Sequence, residues 1–426
     1  MTNSRPLLAL IALLVFGAGR TSYAQTASVT EGASLAETLA QLTQVIGFGQ
    51  LGDFLRVDAM VEIATTPLGA SSGGVATKLD PTTGNQVPVV RTMGPQFAER
   101  AITAGSGKAA VSVDFIAATY DRLGDLKLDQ MQLTTTAAGR GELQQAGIMS
   151  LVLSSQTTVI KGVLGATDRF DVGAVVPIVR VKLEGISWVQ NAVVRAQSDG
   201  TIGNDILRRA EGAGTSTGLG DIAVNGKFRL MRFGAPPPPD APVEPDPGGL
   251  ALLGTVRLPT GSRDNLRGLG ITRVMAGFAA SFSKKRFQPH FNVGFEWWEK
   301  GIDITSRHDP TVTLRHQIQY AAGFEYAAAP KLTFLLTVLG RHIRGGGEIE
   351  FNTVTGAQRP DLAAQGFTSL DYARPTDRGI RKITIVPGMK WNLKGKFLLS
   401  LSGLTTLSDN GLHDQFTPVV GLNVNF

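Results

Sequence analysis

The sequence predicts an all-β protein, a transmembrane antiparallel β-barrel of about twelve strands with an N-terminal plug-like segment. Three observations predict it. An export address opens the chain, long stretches alternate apolar and polar side chains with period two, and beyond that address no run is apolar and long enough for a spanning helix, which needs roughly 20 residues.

The address comes first. Arg5 precedes the apolar run Leu7 to Phe16, and Ser22-Tyr23-Ala24 supplies small residues before Gln25. These are the charged, apolar and cleavage regions of a secretory signal, so residues 1–24 are read as a signal peptide rather than an anchor. Export is expected to be to a Gram-negative-type outer membrane. Loss of Arg5 and Arg20 would take the formal charge from +6 to +4.

Alternation then defines the strands. Phe416, Pro418, Val420, Leu422, Val424 and Phe426 form one face of the C-terminal segment, and Thr417, Asn423 and Asn425 lie on the other. Phe287, Pro289, Phe291, Val293, Phe295 and Trp297 alternate with Gln288, His290, Asn292, Gly294, Glu296 and Trp298. Leu314, His316, Ile318 and Tyr320 alternate with Arg315, Gln317 and Gln319, and Val224, Phe228 and Leu230 with Lys227 and Arg229. Successive side chains on a strand point to opposite faces. One face thus suits lipid, and the other carries charges that only a wet interior accepts.

Twelve such segments can be placed, at about 111–120, 149–164, 170–184, 219–233, 249–259, 271–283, 287–299, 312–327, 331–344, 379–391, 396–407 and 415–426. Their connections alternate between short (165–169, 284–286, 328–330, 392–395) and long (121–148, 185–218, 300–311, 345–378), as periplasmic turns and external loops do. The stretch 234–248, with Pro236 to Pro239, is a long member of the short side and reads as a polyproline spacer. Closure is required because lipid offers no partner to an unpaired strand edge. The segment 170–184 is irregular: apolar side chains fall on even positions before Pro177 and on Val179, Val181 and Leu183 after it, so a bulge at Pro177 that switches faces is expected.

Residues 25–109 do not read as membrane strands, and the barrel is assigned to 110–426. Ser34 to Val45 predicts a short amphipathic helix, Phe97 to Ala101 a second, and Pro81-Thr82-Thr83-Gly84 a hairpin after Ser71-Ser72-Gly73-Gly74. The segment is expected either in the periplasm or, as favoured by a lumen with polar groups to meet it, inside the barrel as a plug.

Composition narrows the chemistry. With no Cys among 426 residues there is no thiolate nucleophile or Cys-held metal. The 41 Lys and Arg against 35 Asp and Glu are dispersed, so no nucleic-acid footprint is expected. His290, His308, His316, His342 and His413 sit in no recognisable catalytic motif, and Gly345-Gly346-Gly347 reads as a flexible turn. No enzyme activity, cofactor or metal is expected.

Several motifs carry a resemblance. Thr217-Gly218-Leu219-Gly220-Asp221-Ile222, Arg257-Leu258-Pro259-Thr260-Gly261-Ser262 and Ala166 to Gly173 resemble recurring motifs of the outer-membrane transporter family labelled "MetA-pathway of phenol degradation". Thr66 to Gly74 and Gly94 to Arg100 resemble a subset of it. The resemblance implies an outer-membrane barrel for uptake of small, often hydrophobic or aromatic molecules. The strand ending on Phe426 likewise resembles the signal by which barrel-assembly machinery recognises its clients. As residues, Thr167-Asp168-Arg169 and Pro259-Thr260-Gly261 are turn formers, so no binding role is carried over.

Facing by parity places Lys227, Arg229, Arg257, His290, Glu296, Arg315, Glu325, Arg341, Lys382 and Lys390 in the lumen, together with Asp114. The basic excess suits anionic solutes if these charges face water; equally, it suits an interior ion-pair ladder that fastens the plug. Trp297, Trp298, Tyr326, Trp391 and Phe426 fall near strand ends and are expected in interfacial girdles. The sequence thus points to an outer-membrane channel or passive transporter for small hydrophobic, aromatic or anionic solutes. Its partners would be outer-membrane lipid, the solute and the assembly machinery. A structural or surface-interaction barrel, contacting something outside through 185–218 and 345–378, is the alternative.

Overall fold

A computed structural model describes residues 25–28, 32–46, 49–70, 77–79, 86–88, 90–137, 143–193, 204–235, 245–305, 311–358, 360–364, 367–393 and 397–426. The expected signal sequence, the Ser71 to Gly74 stretch, the Pro81 to Gly84 turn and the Pro236 to Pro239 run lie outside the described residues.

The predicted strands are present. They are β1 (Ala109–Tyr120), β2 (Leu143–Gly165), β3 (Phe170–Val193), β4 (Ala223–Arg232), β5 (Gly248–Arg257), β6 (Arg273–Phe282), β7 (Phe287–Trp298), β8 (Val312–Ala329), β9 (Leu332–Thr355), β10 (Phe367–Asn392), β11 (Phe397–Thr406) and β12 (Thr417–Asn425). Each pairs antiparallel with its neighbours, and β12 returns to β1 with Val419 opposite Ile116 and Asn425 opposite Ala110. The twelve-stranded ring is therefore closed. Its exterior is an apolar belt that includes exposed Phe115, Ile160, Val172, Phe228, Phe278, Phe291, Phe334 and Leu422. Such a belt around a closed ring is the surface a bilayer accepts.

Three of the expected long loops, 121–148, 185–218 and 345–378, are largely strand instead among the described residues. β2 with β3 and β9 with β10 run on as hairpins to Val193 and Thr355, well past the apolar belt. Polar side chains in water leave the ladder free to continue, so hydropathy marks where the membrane ends and not where the strand does. A further strand, Asn204–Leu219, pairs with Ala192 to Ile178 of β3, while Ala223 to Phe228 of β4 take over from Val175 downwards.

The expected bulge at Pro177 is absent. β2 and β3 keep one register from Leu143 opposite Val193 to Gly165 opposite Asp171, and inside–outside alternation runs straight through Pro177. The faces do not switch; their surroundings do. Below, Phe170, Val172 and Ile178 face lipid; above, Arg180, Lys182 and Glu184 point outward beyond the belt, while Val179, Val181 and Leu183 pack on an apolar core within the barrel. Pro177 sits where the partner of β3 changes, so its missing N–H leaves no ladder position empty, and its carbonyl accepts from Gly220 N.

That inner core is built on two helices. α1 (Leu35–Val45) starts at Ser34, whose hydroxyl accepts from Glu37 N at 3.2 Å while Glu37 reaches back to Ser34 N at 2.8 Å. α2 (Gly49–Ala64) was not expected. Leu51, Phe54, Leu55, Val57, Ala59, Met60, Val61 and Ile63 are buried around most of its circumference, so it lacks the one-sided stripe by which a helix is recognised. Both helices pack against inward side chains such as Leu151, Leu183, Leu314, Ile343 and Ile380. The expected helix at Phe97 to Ala101 is irregular chain instead, held by side chains of the wall rather than by its own ladder.

Candidate functional site in the barrel lumen

Strand parity sends most of the predicted lumen residues inward, and nearly every one meets a partner there. Lys227 lies 3.4 Å from Glu99 and 3.5 Å from Asp171, whose carboxylate also accepts from Ala104 N at 3.0 Å. Arg229 makes two 2.7 Å bonds to Asp246 at the turn end of β4. Glu296, fully buried, accepts from Arg257 at 3.2 Å, Arg273 at 3.4 Å, Gln317 at 3.0 Å and the Trp298 indole at 3.0 Å. Glu325 accepts from Gly94 N at 2.8 Å, with His290 Nδ1 3.9 Å away. Lys390 donates to Pro95 O at 3.0 Å, and Asp114 meets Lys161 at 2.6 Å and Gln96 at 3.0 Å. Arg341 and Lys382 converge on Glu62 of α2, the latter at 3.1 Å, and Arg341 also donates to Thr65 O at 3.1 Å.

Two expectations need correcting. Arg315 is exposed on the outer face, because His316 is an extra residue in a bulge with φ +45, where the β8–β9 register shifts between Arg315 and Gln317. One inserted residue moves every side chain above it to the other face. Trp298 is 1% exposed and points inward onto Glu296; adjacent residues on a strand cannot share a face, so only Trp297 of that pair is at the surface with Tyr326, Trp391 and Phe426.

The basic excess expected from the strands is offset by carboxylates that parity alone did not gather. Asp58, Glu62 and Glu99 come from the segment before β1, and Asp171, Asp221 and Asp246 from strand ends and turns. Lys161 and Arg273, both buried, were also missed, although the alternation of β2 and β6 marks them as inward. At the helix, burial acts against ionisation of Glu62, but Arg341 and Lys382 outweigh it and hold the carboxyl below the ordinary range. Burial pushes Asp58 up to about 7.

The resemblance-bearing motifs prove to be joints. Between Leu219 and Ala223 the ladder is interrupted, and Thr260 spans the break, accepting from Ile222 N at 2.9 Å and donating to Gly220 O at 2.6 Å. Asp221 there accepts from Gly261 N at 3.1 Å, Leu269 N at 3.2 Å and Arg273 at 3.1 Å. Asp168 and Asp171 hold the chain at Thr103 to Ser106, and Asn292 clasps Glu99, accepting from its N–H at 2.6 Å and donating to its carbonyl at 2.8 Å. Gly69, at φ +85, lies so close to Lys161 Nζ that a Cβ would run into it.

Between the end of α2 above and residues 97–99 below lies a cavity of about 240 Å³. Its walls include Leu68, Phe97, Ile116, Val175, Met275 and Leu339, with Tyr120, Asn225 and Gln319 as uncharged polar groups. The charged groups that reach it are Glu62, Glu99, Lys227, Arg257, Arg341 and Lys382, already joined in pairs, and Asp414, which accepts from the Thr417 hydroxyl. No cluster of metal-ligating side chains occurs among the described residues.

No family model matches the sequence, so the resemblance rests on its motifs alone, and no curated protein matches it. Among solved structures the likeness is low. A structure titled "CymD monoaromatic hydrocarbon channel" is 9% identical at a TM-score of 0.34, covering 76% of this chain and 89% of its own. The Ralstonia pickettii toluene transporter TbuX is 10% identical at 0.32, covering 76% and 90%. A Pseudomonas aeruginosa FadL homologue is 11% identical at 0.31, covering 83% and 96%. At these values the likeness carries no conclusion, and the barrel rests on the pairing of its own strands.

Proposed function

We propose that this chain is an outer-membrane channel or passive transporter for small hydrophobic or aromatic solutes. In this reading residues 1–24 export it, the C-terminal strand ending at Phe426 presents it to the assembly machinery, and residues 25–109 form a plug within the barrel. The observation that carries the reading is the cavity between that segment and the wall: its surface is more apolar than polar, and every cation reaching it lies beside a carboxylate. An apolar cavity of about 150 Å³ already takes up benzene. At about 240 Å³ this one has room for a substituted ring. Paired charges give an anion little to bind, which favours neutral solutes over carboxylates. Movement is down-gradient, with a shift of the plug or a side opening completing the path.

The same ties favour a second reading, in which the segment never leaves and the barrel is a closed scaffold. Proteoliposome permeation decides between them. Toluene-sized neutral aromatics should enter faster than through protein-free vesicles, and Ala321→Trp, which fills the cavity wall, should slow that entry about tenfold. Equal permeation with and without protein would leave the scaffold reading.

A further inference from the structure

The bulge that turns Arg315 outward does not leave it alone. Arg315 of β8 stands directly opposite Arg344 of β9, and Arg381 of β10 stands opposite His342, two residues along the same outer face. The three arginines are exposed, and none makes an ion pair or hydrogen bond among the described residues. Nearby carboxylates are engaged elsewhere: Glu350 by Arg374 and Arg378, Glu348 by Arg378 at 3.3 Å, and Asp303 by the Thr313 hydroxyl at 2.6 Å. Asp377 is exposed but pairs with none of the three.

Their height is as specific as their face. Phe334 on β9 and Trp391 on β10 are exposed aromatics at the turn end of the belt, and Arg344 and Arg381 each lie about ten residues further up. Tyr326 on β8 lies about eleven residues from Arg315, one of them the extra residue of the bulge. At ~3.4 Å per residue and a tilt of ~40° that distance is roughly 25 Å, the height of the hydrocarbon band. Immediately below the cluster are exposed Trp297, Ile318, Tyr320 and Ile383, the last apolar groups before it. The arginines therefore stand at the headgroup level of the leaflet on the long-hairpin side, which is the external side.

Like charges directly opposed across a ladder repel, and a non-glycine residue at positive φ is strained. Here the strained residue, His316, is what brings the charges together. We propose that Arg315, Arg344 and Arg381 form a binding site for the phosphate groups of an anionic glycolipid in the outer leaflet. Guanidinium groups bind phosphate through paired hydrogen bonds, and a phosphate beneath three of them relieves their repulsion. The belt below takes the acyl chains while the cluster takes the headgroup. The site rests on the outer-membrane reading and is independent of whether the barrel conducts.

The test is lipid binding to the full-length protein in neutral detergent, followed by native mass spectrometry with a diphosphorylated acyl-glucosamine disaccharide. The wild type should retain this lipid, its dephosphorylated form should bind at least tenfold more weakly, and R315A/R344A/R381A should lose the difference. R180A, which removes an outward arginine from β3, should behave as wild type. R344Q serves where the triple variant does not fold, judged by gel mobility before and after heating. Equal retention of the two lipids, retention by the triple variant, or displacement by millimolar inorganic phosphate alone would overturn the site. A protein soluble without detergent would instead overturn the membrane reading beneath it.

Discussion

Glu62 of α2 and Lys382 of β10 face each other at 3.1 Å, with Arg341 of β9 on the same carboxylate. This joint ties the helix to the wall through groups that are largely buried. Removing Glu62 takes from Arg341 and Lys382 the carboxylate they share, and breaking a buried pair from one side costs about 3–5 kcal/mol. Glu62→Ala should lower the temperature at which the barrel loses its compact gel mobility. Glu62→Ala combined with Lys382→Met should recover part of the loss, and a double variant no better than the single would show that the pair contributes little.

Asp58, one turn before Glu62, gives the pH dependence. Burial raises its carboxyl to about 7, with Lys382, the Leu412 backbone and Arg341 favouring the charged form and Glu62 opposing it. Between pH of about 4 and 7 the folded protein holds a proton that the unfolded chain has released. Stability from this group therefore falls as pH rises through that window and stays low above it. Asp58→Asn should flatten the fall and stabilise the protein at pH 8, read from unfolding midpoints at pH 5 and 8.

Asp221 closes the break beside β4 by accepting from Gly261, Leu269 and Arg273. Asp221→Ala leaves Arg273 with Glu296 as its one carboxylate and strands two backbone N–H groups, a loss of about 3 kcal/mol. The expected result is local: trypsin should cut after Arg263 or Arg267 in a protein that still migrates as a folded barrel. Protection equal to wild type would show that Thr260 and the remaining contacts suffice.

Charge pairing also bears on selectivity. With Lys227, Arg257, Arg341 and Lys382 each beside a carboxylate, reversal potentials in a salt gradient should show little preference for anions. Lys382→Glu should destabilise the protein by placing two carboxylates together and should leave selectivity nearly unchanged. A strong anion preference lost in that variant would restore the reading of a charged, open bore.

Much of the lumen was legible because parity is a local rule. Lys227, Arg257, Glu296, Glu325 and Lys390 face inward because their neighbours face lipid. The rule failed at Arg315, where a residue with no helical or glycine signal forms the bulge, and at α2, whose surroundings are apolar on nearly every side. It also gave the wrong inference at Pro177, since side-chain type there changes with the medium and not with the face.

Period two, the aromatic ends and the spacing of turns determined a closed ring of twelve strands, because each strand's two-sidedness is written in residues next to one another. Which charge meets which was decided only in three dimensions. Glu62 finds Arg341 and Lys382, and Glu99 finds Lys227, across stretches of chain that no local pattern connects. Electrostatic attraction depends on distance in space, and the folded ring with its contents sets that distance.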